Sequence, residues 1–88
     1  MQIRVRLGAG LSRFAGSPLL ALDVPDGGSV ADLYAAIEEN YPELAPALPS
    51  ALPVVGGAHV ERDAPLSPGD EVALLIPVAG GAGPTRGA

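Results

Sequence analysis

The sequence predicts an α+β domain in two layers, one main helix packed on a mixed sheet of about five strands. Three observations carry this. The N-terminal stretch alternates apolar and polar residues with the period of a strand, a single later stretch repeats apolar residues with the period of a helix, and a near-continuous apolar run close to the C-terminus has the character of a strand in mid-sheet. With 88 residues the chain holds one domain, since two would each lack a core.

Taken in order, Gln2 to Leu7 places Ile3, Val5 and Leu7 on one face and Gln2, Arg4 and Arg6 on the other, a half-buried strand. Gly8-Ala9-Gly10 breaks the alternation, and Leu11 to Ala15 before Gly16-Ser17-Pro18 suffices for one turn of helix. Leu19 to Val24 is extended again, with Leu20, Leu22 and Val24 sharing a face, so the two strands form an N-terminal hairpin. Pro25-Asp26-Gly27-Gly28 is a breaker. Ser29 then serves as N-cap, with Asp32 in the first turn to meet the positive end of the helix. Val30, Leu33, Tyr34, Ile37 and Tyr41 form one stripe, with Asp32, Glu38 and Glu39 on the solvent side, until Pro42 stops the helix.

Prolines 42, 46, 49 and 53 leave a turn or two of helix around Glu43 to Leu48. Leu52 to Val55 is a short strand, Gly56-Gly57 a hairpin turn and His59-Val60-Glu61 the returning strand. Turns at Asp63-Ala64-Pro65-Leu66 and Ser67-Pro68-Gly69-Asp70 lead into the apolar strand Glu71 to Ile76. The reading divides the chain into a folded domain, residues 1–78, and a tail, residues 79–88, built of small and turn-forming residues apart from Arg86. A crossing from the second strand through the helix to the rest of the sheet resembles the β-grasp arrangement of ubiquitin-like folds.

Composition narrows the function. Hydrophobic residues at 48% against 17% charged ones argue for a globular chain despite 12 Gly and 10 Pro. The absence of Cys excludes disulfides, thiolate-bound metals and a thiol nucleophile. A net charge of −5, from five Arg, no Lys and ten acids, argues against nucleic acid and for a basic protein pocket as partner. No apolar run approaches the roughly 18 residues of a membrane span, and Met1-Gln2-Ile3-Arg4 does not open a signal peptide, so the reading is cytoplasmic with no membrane contact.

The residues do not assemble a conventional active site. His59, beside a hairpin turn, reads as solvated, and one imidazole without clustered partners makes no metal or acid–base site. Asp63 and Asp70 sit in turns as backbone caps. Glu38 and Glu39 are adjacent and do not face each other across a helix. Gly8-Ala9-Gly10 lacks the Lys-Ser/Thr and cradle helix of a phosphate loop. The chain is therefore not expected to be an enzyme, to hold a metal or to bind a cofactor of its own.

What stands out is the path from the last strand directly into Gly80-Gly81. Two residues without Cβ let an extended tail pass through a narrow channel and bring a carbonyl against a nucleotide phosphorus. A terminal glycine carboxylate would be an unhindered acceptor for adenylation.

Pro77-Val78-Ala79-Gly80-Gly81 after the strand, the preceding Pro65-Leu66-Ser67-Pro68-Gly69-Asp70-Glu71-Val72, and Tyr41-Pro42-Glu43-Leu44 closing the helix together resemble the MoaD/ThiS family of β-grasp sulfur carriers, over residues 1–81 and at a length nearer MoaD. The resemblance implies a mechanism. An adenylyltransferase of the ubiquitin-activating type (MoeB/ThiF-like) uses ATP to convert the glycine carboxylate to an acyl-adenylate, and sulfur transfer yields a thiocarboxylate. The tail then enters a partner, a MoaE-like large subunit of molybdopterin synthase in the MoaD case. On this resemblance Gly81 bears the sulfur and Pro77, Val78, Ala79 and Gly80 form the inserting tail. The partner-facing surface is expected on the sheet face left uncovered by the helix, near the exit of the last strand.

Two departures qualify the match. The hairpin is Val55-Gly56-Gly57 where the family commonly has Val-Asn-Gly, and Gly81 is followed by seven more residues, so it has no carboxylate until the chain is cut. Cleavage between Gly81 and Ala82 by a JAMM-type or other protease is the expectation that follows. Other readings are a thiocarboxylate donor for another pathway (cysteine, thiamin or a natural product), a ubiquitin-like protein modifier, and a plain binding module.

Overall fold

The computed structural model describes residues 1–76. The elements run β1 (Gln2–Leu7), α1 (Ala9–Ala15), β2 (Leu19–Asp23), α2 (Val30–Asn40), a 3₁₀ segment (Pro42–Ser50), β3 (Leu52–Val55), β4 (Ala58–His59) and β5 (Glu71–Leu75). The five strands form one sheet in the order β2-β1-β5-β3-β4. β1 lies antiparallel to β2 and parallel to β5, and β3 lies antiparallel to both β5 and β4. The expected α+β architecture, a mixed five-stranded sheet under one main helix, is the one observed, with the apolar strand β5 at its centre.

Alternation decides which face of the sheet is covered. Ile3, Val5 and Leu7 of β1, Leu20 and Leu22 of β2, and Val72 and Leu74 of β5 are buried, together with Val30, Leu33, Tyr34 and Ile37 of α2. Leu44 and Leu48 of the 3₁₀ segment, Leu11 of α1 and Leu66 complete this one core. No charged or polar side chain is buried among the described residues.

Local chemistry accounts for the helix ends. Ser29 and Asp32 form a reciprocal capping box on α2. The first N–H groups of α2 are all taken, Val30 donating to the Ala64 carbonyl, Ala31 to that of Arg62, Asp32 to the Ser29 hydroxyl and Leu33 to the Ser29 carbonyl. This N-terminus is therefore closed to an anion.

Four details differ from the sequence expectation. α1 is seven residues long, where one turn from Leu11 was expected, because Gly8 stays extended as its cap, Leu11 is anchored in the core and Gly16 ends it at φ +77°. Ala9 and Gly10 thus begin a helix. The prolines do not confine the next segment to a turn or two: it runs nine residues as 3₁₀ helix, held by buried Leu44 and Leu48 and accommodating Pro46 and Pro49 internally. The returning strand is Ala58–His59 and not His59 to Glu61. The Gly56-Gly57 turn, with φ +61° and +82°, pairs Val55 directly with Ala58, and the chain beyond Val60 leaves the sheet to cap α2. Finally, β2 and β5 end at Asp23 and Leu75, each one residue earlier than expected.

Candidate functional site

The strand registers define rows across the uncovered sheet face. One row is Leu19, Arg6, Ala73, Val54 and His59. Towards the start of β1 the next row is Ala21, Arg4 and Glu71, and beyond it lie Asp23 and Gln2. In the opposite direction Leu75 faces Leu52, beside Gly8, whose N–H donates to the Leu74 carbonyl at 3.1 Å.

Large apolar side chains gather at one end of this surface. Leu19, Leu52 and Leu75 are 46%, 41% and 46% exposed, and Phe14 on α1 is 58% exposed. β1 and β5 are parallel, so both finish at the same edge of the sheet. α1 follows β1 there, β2 begins there and β3 begins there. All four large exposed hydrophobics of the described residues thus lie at the end where β5 leaves towards Pro77. Leu19, Leu52 and Leu75 share the open face at that end, with Phe14 on the neighbouring α1, and exposed apolar groups on an otherwise polar face are a feature of interaction sites. Next to it, Val54, Ala73, Gly56, Gly57 and Glu71 line a shallow cleft of about 380 Å³, its floor made of small side chains.

The charge of this face differs from that of the molecule. Its strands contribute Arg4, Arg6, Asp23 and Glu71, which cancel, so the whole net charge of −5 is carried elsewhere. The Nε of Arg6 donates to the Glu71 carboxylate at 2.7 Å. The acids of the helix layer, Asp32, Glu38 and Glu39, are exposed on the opposite side of the molecule. Inference from total charge to a basic pocket therefore does not describe the face that carries the apolar patch.

A second group of residues fixes one side of the patch. Tyr34 donates its hydroxyl to the Ala51 carbonyl at 3.0 Å, and Arg62 stacks 4.5 Å over the Tyr34 ring while donating to the carbonyls of Leu48 and Pro49. Burial raises the Tyr34 pKa above the ordinary tyrosine value, partly offset by the Arg62 guanidinium. These bonds tie α2 to the end of the 3₁₀ segment and so set where β3, with Leu52, begins. Sequence reasoning placed Tyr34 in the apolar stripe and missed the clamp, because Arg62 comes from a loop 28 positions later.

The other singled-out residues are placed as follows. His59 is exposed on β4, and Asp70 caps its own turn, its carboxylate accepting from the Ser67 N–H at 2.8 Å. Glu38 and Glu39 are exposed on α2. Among the described residues no three His, Cys, Asp or Glu come together as a metal site, and no helix is long and apolar enough to cross a membrane. Pro77, Val78, Ala79, Gly80, Gly81 and Ala82, the expected inserting tail, sulfur-bearing residue and cleavage site, lie outside the described residues.

Comparison with known proteins gives a consistent picture. The family model described as the ThiS family matches residues 5–81. Small archaeal modifier protein 1 from Haloferax volcanii is similar in structure with a TM-score of 0.83 and 25% identity, over 91% of this chain and 99% of that one. A putative molybdopterin converting factor subunit 1 from Pyrococcus furiosus is similar in fold, with a TM-score of 0.79 and 23% identity over 89% of this chain and 99% of that one. A chain from the complex of subunits 1 and 2 of the Helicobacter pylori molybdopterin-converting factor also shares the fold, with a TM-score of 0.67 and 21% identity over 91% of this chain and 99% of that one. A search of curated proteins gave no match.

Proposed function

The chain belongs to the ThiS family, and from that premise we propose that it carries sulfur as a thiocarboxylate on Gly81 for molybdopterin synthesis, after removal of residues 82–88. The observation that supports this reading best is the coincidence of the apolar patch with the exit of β5. Gly81 follows Leu75 by six residues, a reach of at most about 22 Å from the patch edge even fully extended. A partner seated on Leu19, Leu52 and Leu75, with its active site within that distance, would receive the diglycine.

The chemistry needs little from the carrier. Cleavage between Gly81 and Ala82, by a JAMM-type or other protease, frees a carboxylate. One of its oxygens attacks the α-phosphorus of ATP in a MoeB/ThiF-like adenylyltransferase and pyrophosphate leaves. Sulfide-level sulfur then displaces AMP from the acyl carbon, leaving a thiocarboxylate. A chain without Cys offers no side-chain thiol to compete for that acyl group. The sulfur is delivered in a MoaE-like large subunit; the Helicobacter pylori neighbour, solved as a complex of subunits 1 and 2, is the analogy.

A second reading is a ubiquitin-like modifier joined through Gly81 to target lysines, favoured by the likeness to small archaeal modifier protein 1. The intact mass of untagged protein from its own host tests both. A species ending at Gly81 with one oxygen replaced by sulfur supports the carrier. Thiol-stable conjugates of higher mass without that species support the modifier, and full-length chain alone in cells making active cofactor sinks the cleavage step.

A further inference from the structure

We propose that the chain is insulated from its own activated glycine: the Val24 carbonyl and the Asp26 carboxylate hold the α-amino group of Met1 on the end of the sheet, so that Gly81 of one copy is not joined to Met1 of another. This rests on the function proposed above and concerns the acceptors which that function allows; acyl activation of Gly81 is common to the carrier and modifier readings.

An acyl-adenylate reacts with any free amine or thiol that reaches it. The amine lone pair adds to the acyl carbon, the bond to AMP breaks, and the nitrogen sheds a proton to leave an amide. The chain has no Lys and no Cys, so the α-amine of Met1 is the group in question. Hydroxyls and the His59 imidazole would give only esters or an acylimidazole, which hydroxylamine cleaves.

That amine is not a loose end. Met1 and Val24 exchange both backbone bonds across β1 and β2, the Val24 N–H donating to the Met1 carbonyl at 2.8 Å and the Met1 ammonium to the Val24 carbonyl at 2.7 Å. The ammonium also meets the Asp26 carboxylate at 3.1 Å, and the Met1 side chain packs against the core. Attack needs a nitrogen that has lost a proton and turned its lone pair outwards, so both contacts must open first. Asp26 is 91% exposed, which makes its ion pair the weaker hold and the part-buried bond to Val24 the stronger one.

Topology adds distance. β1 and β5 are parallel, so Met1 lies at the sheet end opposite the exit of β5. Met1 stands seven residues before Gly8, the neighbour of Leu75, hence about 23 Å along the strand. From Leu75, Gly81 reaches at most about 22 Å. Closure within one copy is thus at the limit of a straight tail, and the hold on Met1 acts against attack by a second copy.

The test uses the chain with Met1 as its first residue. Intact mass follows acylation of the full chain by the N-hydroxysuccinimide ester of acetylglycine, standing for activated Gly81, beside the free peptide Met-Gln-Ile-Arg-Val, and hydroxylamine-stable adducts are counted. The natural chain should react about tenfold more slowly than the peptide, because the amine is available only when the end of β1 opens. Asp26→Asn should react about threefold faster than the natural chain, and a chain with Gly-Ser placed before Met1 should match the peptide. A natural chain as fast as the peptide, an Asp26→Asn chain no faster than the natural one, or an extended chain as slow as the natural one overturns the inference. In a second arm the chain ending at Gly81, which keeps every described element, meets ATP and the host's ubiquitin-activating-type adenylyltransferase. Pyrophosphate release without a hydroxylamine-stable dimer supports the inference, and a dimer joined from Gly81 to Met1 overturns it alone. No pyrophosphate release overturns the proposed function, while the labelling rates still decide whether the amine is withheld.

Discussion

The two faces of the same five strands are built to different rules. On the covered face, Ile3, Val5, Leu7, Val72 and Leu74 are buried under Val30, Leu33 and Ile37. On the other face the intervening positions read Gln, Arg and Arg in β1, and Glu, Ala and Leu in β5. Folding explains the first set, because its apolar area leaves water only when α2 packs on it. It does not explain Leu19, Leu52 and Leu75, which remain about half exposed in the finished fold. Leucines that gain little from folding, gathered at the edge where the last strand leaves, are what the proposed function assigns to a partner.

The largest expected effect breaks the covered face. Leu33 is fully buried at the centre of α2, so Leu33→Ala should cost about 3 kcal/mol, measured from the urea midpoint. A loss under about 1 kcal/mol would mean the helix is not what holds the sheet. Next comes the opposite experiment on the open face. Leu75→Asp should leave stability within about 1 kcal/mol yet weaken adenylyltransferase binding at least about tenfold, measured by calorimetry. Equal loss of stability and binding would make Leu75 a core residue in disguise.

That separation was partly legible in the sequence. Period-two alternation in Gln2 to Leu7 assigned both faces of β1 correctly, and the buried stripe Val30, Leu33, Tyr34, Ile37 followed from spacing alone. The Ser29–Asp32 cap was equally readable, since both partners lie within one turn. The apolar patch was not, because its members come from α1, β2, β3 and β5 and meet only through strand order. Leu19 and Leu52 each stand beside buried residues in short apolar runs, and a run without polar residues does not tell which face a given leucine takes. The charge of the open face was hidden for the same reason: a sum over the chain cannot show that its acids and arginines cancel on one surface.

A smaller effect sharpens how the covered layer positions the patch. Tyr34→Phe removes the hydroxyl that donates to Ala51 and leaves that carbonyl unpaired, a cost of about 1 kcal/mol at pH 8. The folded-state pKa of Tyr34 is raised, so the folded chain holds this proton more tightly than the unfolded chain does. The stability linked to it is complete below the ordinary tyrosine value, about 10, and is lost as pH rises beyond that. Urea midpoints from pH 8 to 11 should therefore converge for the natural chain and the variant. A gap that widens with pH would contradict the burial argument.

The smallest effect belongs to the Arg6–Glu71 ion pair on the open face. Arg6 is mostly exposed, and its bond to Glu71 exchanges one solvated contact for another, so Arg6→Gln should cost no more than about 0.5 kcal/mol in low salt. In about 1 M NaCl, where charges are screened beyond roughly 3 Å, the difference should disappear. Arg4, directly across from Glu71, is placed to take over the carboxylate when Arg6 is gone. That exchange would hold stability nearly constant, so the urea midpoint should stay put. A stability loss of about 2 kcal/mol instead would show that the open face, like the covered one, is needed to hold the fold.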